Sequence, residues 1–238
     1  MRPRPTNGGR LRSRTQPEII DVMLDEVHLR TAANRRMTAR LFAELDADQL
    51  GAPSLCTGWT CRDVLGHLVM SVDLTFFRFL LEVARDRGRG AVTSDRLARA
   101  YGARPVSELV QHLHDRSDVA LSPPGVGALG PFADSCIHMR DVAIPLGITT
   151  SPPVQDWTRV LDFLTTRRAQ AAGFLPRGRL EGLQLHATDA TWSSGSGAPV
   201  TGTSEALAMC LTGRSALLDD LAGAGAPTLR QRVLAQQH

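Results

Sequence analysis

The sequence predicts an α+β protein in which an N-terminal antiparallel four-helix bundle is followed by a small α/β C-terminal domain. Apolar residues recur at helical spacing in four segments of roughly the first 150 residues. The segments between them are rich in Gly, Pro and Ser, which is typical of loops. Later in the chain, short helical segments mix with an alternating, strand-like one. The expected boundaries are 17–150 for the bundle and 155–238 for the second domain.

Each helix of the bundle has its own sequence signals. Pro17 suits the start of the first helix. Thr60 and Asp63 resemble a capping box at the start of the second, with Asp in place of the usual Glu. Because the outer faces are polar, the helices are expected to pack as an antiparallel bundle. The four helices are predicted over residues 18–45, 60–85, 106–119 and 131–142.

The second domain mixes helices and strands. In "LEGLQLHATDATW" apolar and polar residues alternate, which is typical of a strand. "SSGSGAPV" predicts a turn, and "PVTG" predicts a short second strand. Gly213 lies just past the end of a predicted helix, as is common for helix C-termini. The predicted helices of this domain cover residues 157–172, 204–211 and 216–221.

The positive charge of the chain is concentrated at its N-terminus. The basic residues are all Arg, the pI is near 9.0 and the net charge is +3. Five of the arginines lie in "MRPRPTNGGRLRSR", so the rest of the chain has a net charge of about −2. Residues 1–16 are therefore predicted to be a disordered Arg-rich arm. Such an arm could contact RNA or an anionic membrane, but the body is not a basic nucleic-acid module, and neither partner is expected.

Three sequence features bear on where the protein is located: membrane helices, a secretory signal and a disulfide pattern. The sequence has no apolar run of the ~18–20 residues that a membrane helix needs. No apolar segment of a secretory signal follows the N-terminal arginines. The four cysteines, at positions 56, 61, 136 and 210, do not form a disulfide-framework pattern. A cytoplasmic location is expected.

Three side chains of the predicted bundle form a candidate metal site. Asp134 and His138 are four residues apart, on one face of the fourth helix. With His67 of the second helix they supply three ligands, the number at which zinc keeps a position for water or substrate. Asp141 could orient His138 by accepting its second N–H. Alternatively, Asp134 and His138 form an intrahelical ion pair worth ~0.3–0.5 kcal/mol, and His67 is a hydrogen-bonded core histidine.

Three segments carry a resemblance to a known family. "CTGWTCRDVLGHL", "DSCIHMRDVAIPLG" and "LQLHATDATWSSGSGAPVTGTSEALAMCLTGR" resemble, in this order, the signatures of the mycothiol-dependent maleylpyruvate isomerase family. The N-terminal domain of that family is a DinB-like metal-binding four-helix bundle. The resemblance implies a divalent metal, typically Zn²⁺, held by His67, Asp134 and His138. The family usually has Glu where this chain has Asp134, whose side chain is shorter by one methylene.

The resemblance also implies a reaction. Mycothiol is expected as the thiol cosubstrate of a cis-trans isomerase or an S-transferase that acts on a small electrophilic acid or metabolite. Arg214 matches the family's Gly-Arg motif and is predicted to be catalytic, by contacting a substrate carboxylate in the bidentate way that suits a guanidinium. Alternatively, Arg214 tethers a helix end or pairs with Asp219 or Asp220.

Two other functions remain open from the sequence. A non-catalytic DinB-like protein would keep the fold for binding or regulation. A zinc-dependent hydrolase would use a zinc-bound water, although no further general base lies near the three ligands in the sequence. The expected partners are a small-molecule thiol and an electrophile, with the chain a monomer or homodimer. Cys61, at the start of a helix, is either a reactive thiol or a bystander.

Overall fold

The structure of the protein, a computed structural model, describes residues 16–235, with side chains from residue 24 onward. Over these residues the chain forms eleven α-helices and a three-stranded sheet, which confirms the α+β class. The predicted arm 1–16 lies outside the described residues, apart from Gln16 at the start of the first helix. The helices are α1 (Gln16–Ala43), α2 (Ala47–Gly51), α3 (Cys61–Asp73), α4 (Phe76–Arg85), α5 (Gly90–Gly102), α6 (Val106–Asp115), α7 (Leu129–Ala143), α8 (Val154–Leu164), α9 (Arg167–Ala171), α10 (Ser204–Leu211) and α11 (Ala226–Leu234).

Helices α1, α3, α6 and α7 form the predicted bundle, with α1 and α3 each packing against both α6 and α7. Their core includes the buried side chains Phe42, Leu65, Leu109, Leu113 and Met139. The prediction of one helix over 60–85 is wrong, because the helix is interrupted between α3 and α4. There Leu74 is extended, and the Thr75 side chain caps the start of α4.

Helix α5 was not predicted, and it packs closely along α3. The contact depends on two glycines: a Cβ on Gly66 would lie 2.2 Å from the carbonyl oxygen of Ala98 and 2.5 Å from the nitrogen of Gly102. No side chain fits at Gly66 without moving α5. The sequence signal is weak because α5 follows the glycines of "DRGRG" and has no side-chain hydrogen bond at its N-cap. The close packing places α5 beside the helix that carries His67.

The second half of the chain contains the sheet, whose strands are β1 (Leu183–Ala187), β2 (Ser193–Gly195) and β3 (Ala198–Gly202). Strand β1 lies in the centre, antiparallel to β2 and parallel to β3. The strand predicted in "LEGLQLHATDATW" is therefore confirmed. "SSGSGAPV", predicted as a turn, instead contains β2 and the start of β3. The last predicted helix is a short 3₁₀ turn over Leu218–Asp220, and α11 was missed.

Two buried clusters share helix α7. Met139 and Val142 belong to the core of the bundle. Phe132 and Cys136, on the same helix, pack in a second core with Trp157 and the residues of α10. Because α7 contributes to both cores, the division of the chain between residues 150 and 155 stays a prediction. None of the helices within residues 16–235 is long and apolar enough to span a membrane.

Candidate metal site and active-site cleft

The start of α3 is fixed by the predicted capping box. The backbone N–H of Thr60 donates to Asp63 Oδ2 at 2.9 Å, and the backbone N–H of Asp63 donates to Thr60 Oγ1 at 3.2 Å. These reciprocal bonds satisfy donors that the first turn of a helix otherwise leaves free. His67 follows about one turn after Asp63, so the cap sets the position from which its side chain enters the cleft.

The loop before α3 is held by α5. Trp59 Nε1 donates to Asp95 Oδ1 at 2.8 Å, and Arg99 Nη2 donates to the carbonyl oxygen of Gly58 at 2.7 Å. These contacts place the Trp59 ring next to the two imidazoles, with ring centroids 5.3 Å from His67 and 6.3 Å from His138. Trp59 is therefore a wall of the candidate site.

The three predicted ligands lie together. Asp134 Oδ2 is 3.5 Å from His67 Nε2, and Asp134 Oδ1 is 3.1 Å from His138 Nε2. One potential ligand atom from each residue lies within 4.8 Å of the others. Tetrahedral zinc with bonds near 2.0 Å separates its ligands by about 3.3 Å. Two imidazole nitrogens and a carboxylate oxygen at these spacings fit a divalent cation that keeps one open position.

The charges of this triad favour an ionised carboxylate. Burial alone would raise the pKa of Asp134, but the charges and hydrogen bonds of His138 and His67 hold it well below its ordinary value. Burial alone would lower the pKa of His138, but Asp134 and its other acidic neighbours raise it well above the ordinary value. Without a cation, Asp134 is thus an anion shared between two imidazoles. A cation would take the place of the protons between them.

The other nitrogen of His138 is held by a second carboxylate. His138 Nδ1 donates to Asp141 Oδ2 over 2.8 Å, as the sequence suggested. Asp141 has no exposed side-chain surface. Because Nδ1 keeps its proton on Asp141, the lone pair of Nε2 is directed at the triad once that nitrogen is deprotonated. A carboxylate behind a histidine ligand is the common way to orient it.

Arg214 pairs with Asp141 in a bidentate arrangement. Its Nε donates to Asp141 Oδ1 at 2.8 Å, and its Nη2 donates to Oδ2 at 2.6 Å. Burial opposes the charge of Asp141, yet Arg214 holds the pKa of this carboxyl far below its ordinary value. Arg214 thus pairs with Asp141 and not, as the alternative suggested, with Asp219 or Asp220, and Asp219 contacts Arg230. The other alternative, a tether to a helix end, agrees with the 2.9 Å hydrogen bond that Nη1 donates to the carbonyl oxygen of Thr212, the C-cap residue of α10.

A second group of potential ligands is less suited to a cation. Cys56, His138 and Asp141 also lie within range of one another. However, the Cys56 thiol donates to Asp141 Oδ2 at 3.0 Å, and both oxygens of Asp141 already accept from Arg214. The Nδ1 of His138 carries the proton that Asp141 accepts. These atoms therefore satisfy one another and act as support for the triad.

The buried cysteines are not arranged as nucleophiles. All four lie among the described residues, and none forms a disulfide. Cys61 is fully buried at the start of α3, and burial raises the pKa of its thiol to about 11. Burial also raises the pKa of Cys136 well above its ordinary value. Neither thiol is ionised near neutral pH, so Cys61 fits the bystander interpretation.

The triad opens into a cavity of about 390 Å³ between the two halves of the chain. Residues of the bundle line one side, with Trp59, His67 and His138. The second half supplies Phe174 and Arg214. Arg214, the predicted catalytic residue, therefore borders the same space as the predicted metal ligands. This size suits a small ligand.

Sequence reasoning missed several residues of the cavity. Ser94 Oγ lies 3.5 Å from His67 Nδ1, but Ser94 is on the helix that was not predicted. Phe174 lies in the connection between α9 and β1, where no motif marks it. Trp59 was present in the quoted "CTGWT" segment, and its position directly before the capping box was the available signal.

Comparisons with known proteins agree with this architecture. Residues 31–121 match the family model "Mycothiol maleylpyruvate isomerase N-terminal domain". A crystal structure of the mycothiol-dependent maleylpyruvate isomerase is similar with a TM-score of 0.52 and 16% identity, over 85% of this chain and 93% of that one. A His-to-Ala mutant of that isomerase gives a TM-score of 0.56 and 14% identity over the same shares. No curated protein matches in sequence.

At these identities the solved structures establish the fold, and the family model establishes the domain. The four-helix bundle with a small α/β part is the arrangement that the sequence predicted. The resemblance is therefore confirmed at this level: residues 31–121 match the N-terminal domain model of the mycothiol maleylpyruvate isomerases, and most of the chain shares the fold of that enzyme.

Proposed function

We propose that the protein is an enzyme that uses a divalent metal and a low-molecular-weight thiol of the mycothiol type, as a cis-trans isomerase or S-transferase of a small electrophilic acid. One observation carries the proposal. His67, Asp134 and His138 converge at metal-ligand spacing in a cavity that Arg214 also lines. The match of residues 31–121 to the isomerase domain supports the choice of a thiol as cosubstrate.

The triad and the residues around it would have separate roles in the reaction. His67, Asp134 and His138 would hold the cation, with Zn²⁺ as the first candidate since it accepts two nitrogens and an oxygen. When bound, such a cation would lower the pKa of a thiol, so that the nucleophilic thiolate would be available at neutral pH. Asp141 keeps His138 in place through the 2.8 Å hydrogen bond to Nδ1.

Arg214 is placed to hold the acid. Its guanidinium has five N–H groups, of which three donate to the oxygens of Asp141 and to the carbonyl oxygen of Thr212. A fourth contacts only Cys56 Sγ, a weak acceptor, at 3.6 Å. N–H groups at both terminal nitrogens thus remain for a substrate carboxylate.

The reaction then balances without a redox partner. The thiolate sulfur bonds to the β-carbon of the activated double bond, and the π electrons move to the carbonyl oxygen. In an isomerase, the former carbon–carbon double bond is now a single bond, and the molecule rotates about it. Breakage of the C–S bond then restores the double bond in the trans form. In a transferase, the α-carbon takes up the proton that the thiol released, and the thioether product leaves.

The net charge of the cleft suits this chemistry. Asp134 and Asp141 are negative, Arg214 is positive, and a divalent cation would bring the sum of these groups to one positive charge. A thiolate and a carboxylate are both anions, so they are attracted to such a site. A cytoplasmic location, in keeping with the four free thiols, belongs to the same proposal.

Metal analysis tests the proposal. We expect about one equivalent of zinc in the purified protein, its loss in His67→Ala and His138→Ala, and its retention in His112→Ala, a histidine that contacts Asp73 outside the triad. Calorimetric titration of mycothiol should give binding to the metal-loaded wild type and His112→Ala, and none to the metal-free triad variants. Full metal retention in both triad variants would refute the site. A metal-free wild type that binds no thiol would favour a binding protein.

A further inference from the structure

The cleft has a second arm that the reaction above does not use. Beyond the triad lies a cavity of about 540 Å³, formed by the end of α3, the start of α4 and the loop over residues 120–126. The described residues that line this cavity are all uncharged. Its walls include the apolar side chains Met70, Leu74, Phe76, Phe79, Leu121 and Val126. We refer to this cavity as the apolar arm.

The apolar arm lies next to the metal site. A smaller cavity of about 200 Å³ lies between them and shares lining residues with both: His67 and Asp134 with the cavity at the triad, and Ser71 and Leu121 with the apolar arm. Phe174 lines all three cavities. Its ring packs edge-on against Phe163, with centroids 5.0 Å apart at 85°, so the second half of the chain positions it. The cleft thus passes from Arg214, past the triad, to Phe79.

The walls of this arm are open to solvent. Within the described structure, helix α4 has no buried residue, and Phe76 is 38% exposed. Apolar surface of this kind beside a cleft is typical of a ligand-binding surface. A sugar-linked thiol such as mycothiol does not suit it, because its hydroxyl groups would lose hydrogen bonds to water. The thiol fits the polar cavity between Trp59 and Arg214 better.

We infer that the apolar arm binds a hydrocarbon group of the electrophile. This inference rests on the proposed function and narrows its substrate class. The acid would carry its carboxylate at Arg214, its activated double bond at the triad and an alkyl or aryl group against Phe76 and Phe79. A 4-oxo-2-enoic acid with an extended alkyl group has these three parts in that order.

A homologous series of such acids tests the inference. The metal-loaded enzyme is assayed with mycothiol and 4-oxo-2-enoic acids that carry a methyl, propyl or hexyl group. Each methylene that enters the arm should raise kcat/KM about three- to fourfold. In Ala120→Trp, the indole of a rim residue would fill the arm and remove this dependence. Ala103→Trp is the matched control, since Ala103 is also exposed but lines none of these cavities.

The outcomes separate the inference from the proposed function. Turnover of the methyl acid with no gain from longer chains overturns the apolar arm and leaves the thiol chemistry intact. If no acid is turned over, the chemistry fails, and calorimetry with the saturated 4-oxo acids still tests the arm. The hexyl acid should then bind more than about a hundredfold tighter than the methyl acid. This gain should persist in Ala103→Trp and disappear in Ala120→Trp, and equal affinities in the wild type would refute the inference.

Discussion

Two aspartates of α7 contact the same histidine and differ in almost every other respect. Asp134 and Asp141 lie about two turns apart on one face of the helix, with His138 between them. Asp134 is 26% exposed and faces the cavity, where two imidazoles share it. Asp141 is fully buried and accepts hydrogen bonds from His138, Arg214 and the thiol of Cys56.

Under the proposed function, one helix thus carries both a metal ligand and the carboxylate that supports it. The oxygens of Asp141 are saturated by donors, so they have little capacity left for a cation. Among the described residues, the polar contacts of the Asp134 oxygens are with the imidazole nitrogens of His67 and His138, which bind metals as readily as protons. The same residue type therefore has two roles, and the neighbours of each carboxylate decide which one.

The largest effect is expected for Asp141→Asn. The substitution leaves the guanidinium of Arg214, 16% exposed, without its carboxylate. Removal of one partner from a buried pair lowers the free energy of unfolding by about 3–5 kcal/mol. Chemical denaturation of the metal-free protein measures this loss.

A double variant is the control for this explanation. In Asp141→Asn/Arg214→Gln no buried charge is left unpaired, so stability should recover in part relative to Asp141→Asn alone. A double variant no more stable than the single one would show that the loss of unfolding free energy arises from packing and not from the unpaired charge of Arg214.

Asp134→Asn should act on the metal instead of on folding. The neutral amide is a poorer ligand for zinc, so metal affinity should fall by more than the roughly 10–100-fold that removal of a supporting residue causes. The unfolding free energy of the metal-free protein should fall by less than in Asp141→Asn, because Asp134 is 26% exposed and its imidazole partners can lose their protons, whereas the arginine beside Asp141 cannot. Competition with a chelator and denaturation measure the two quantities. A large loss of stability with unchanged metal affinity would reverse the roles of the two aspartates.

Asp134→Glu examines the departure from the residue that the family usually has. The longer side chain brings the same carboxylate further into the cavity, where zinc accepts it equally well. We therefore expect bound metal, with an affinity weaker by less than about tenfold, as expected for a geometric adjustment and not the loss of a ligand. Complete metal loss on this change would mean that the spacing at Asp134 is specific to Asp.

Cys56→Ala should have the smallest effect. It removes one hydrogen bond to Asp141, with an expected cost of about 1 kcal/mol in unfolding free energy. Metal content should not change, because Asp141 and His138 Nδ1 already satisfy each other. If Cys56→Ala loses the metal while His67→Ala retains it, the cation binds instead to the alternative group of Cys56, His138 and Asp141.

The parts of this protein that are encoded locally could be predicted from the sequence. The spacing of Asp134, His138 and Asp141 is a property of one helix, since residues three and four apart share a face whatever surrounds them. The capping box of Thr60 and Asp63 is equally local. The sequence left two interpretations of His67 open, a third ligand or a core histidine, because periodicity alone does not show which helix faces meet, and the resemblance favoured the ligand.

Contacts between distant segments were decided by the tertiary structure. Helix α5 is fixed against α3 by close contact at Gly66, and only this packing places Ser94 and Asp95 at the cleft. Arg214 was expected near substrate, but its pairing with Asp141 depends on how the second half of the chain docks on α7.

The sequence by itself thus determined which side chains can bind a cation, because donor type and helical spacing are local. The tertiary structure decided which carboxylate stays available and what shape of ligand the cleft admits. Both depend on desolvation and on neighbours far apart in the chain, and Phe174, which lines every part of the cleft, has no local pattern that reveals it.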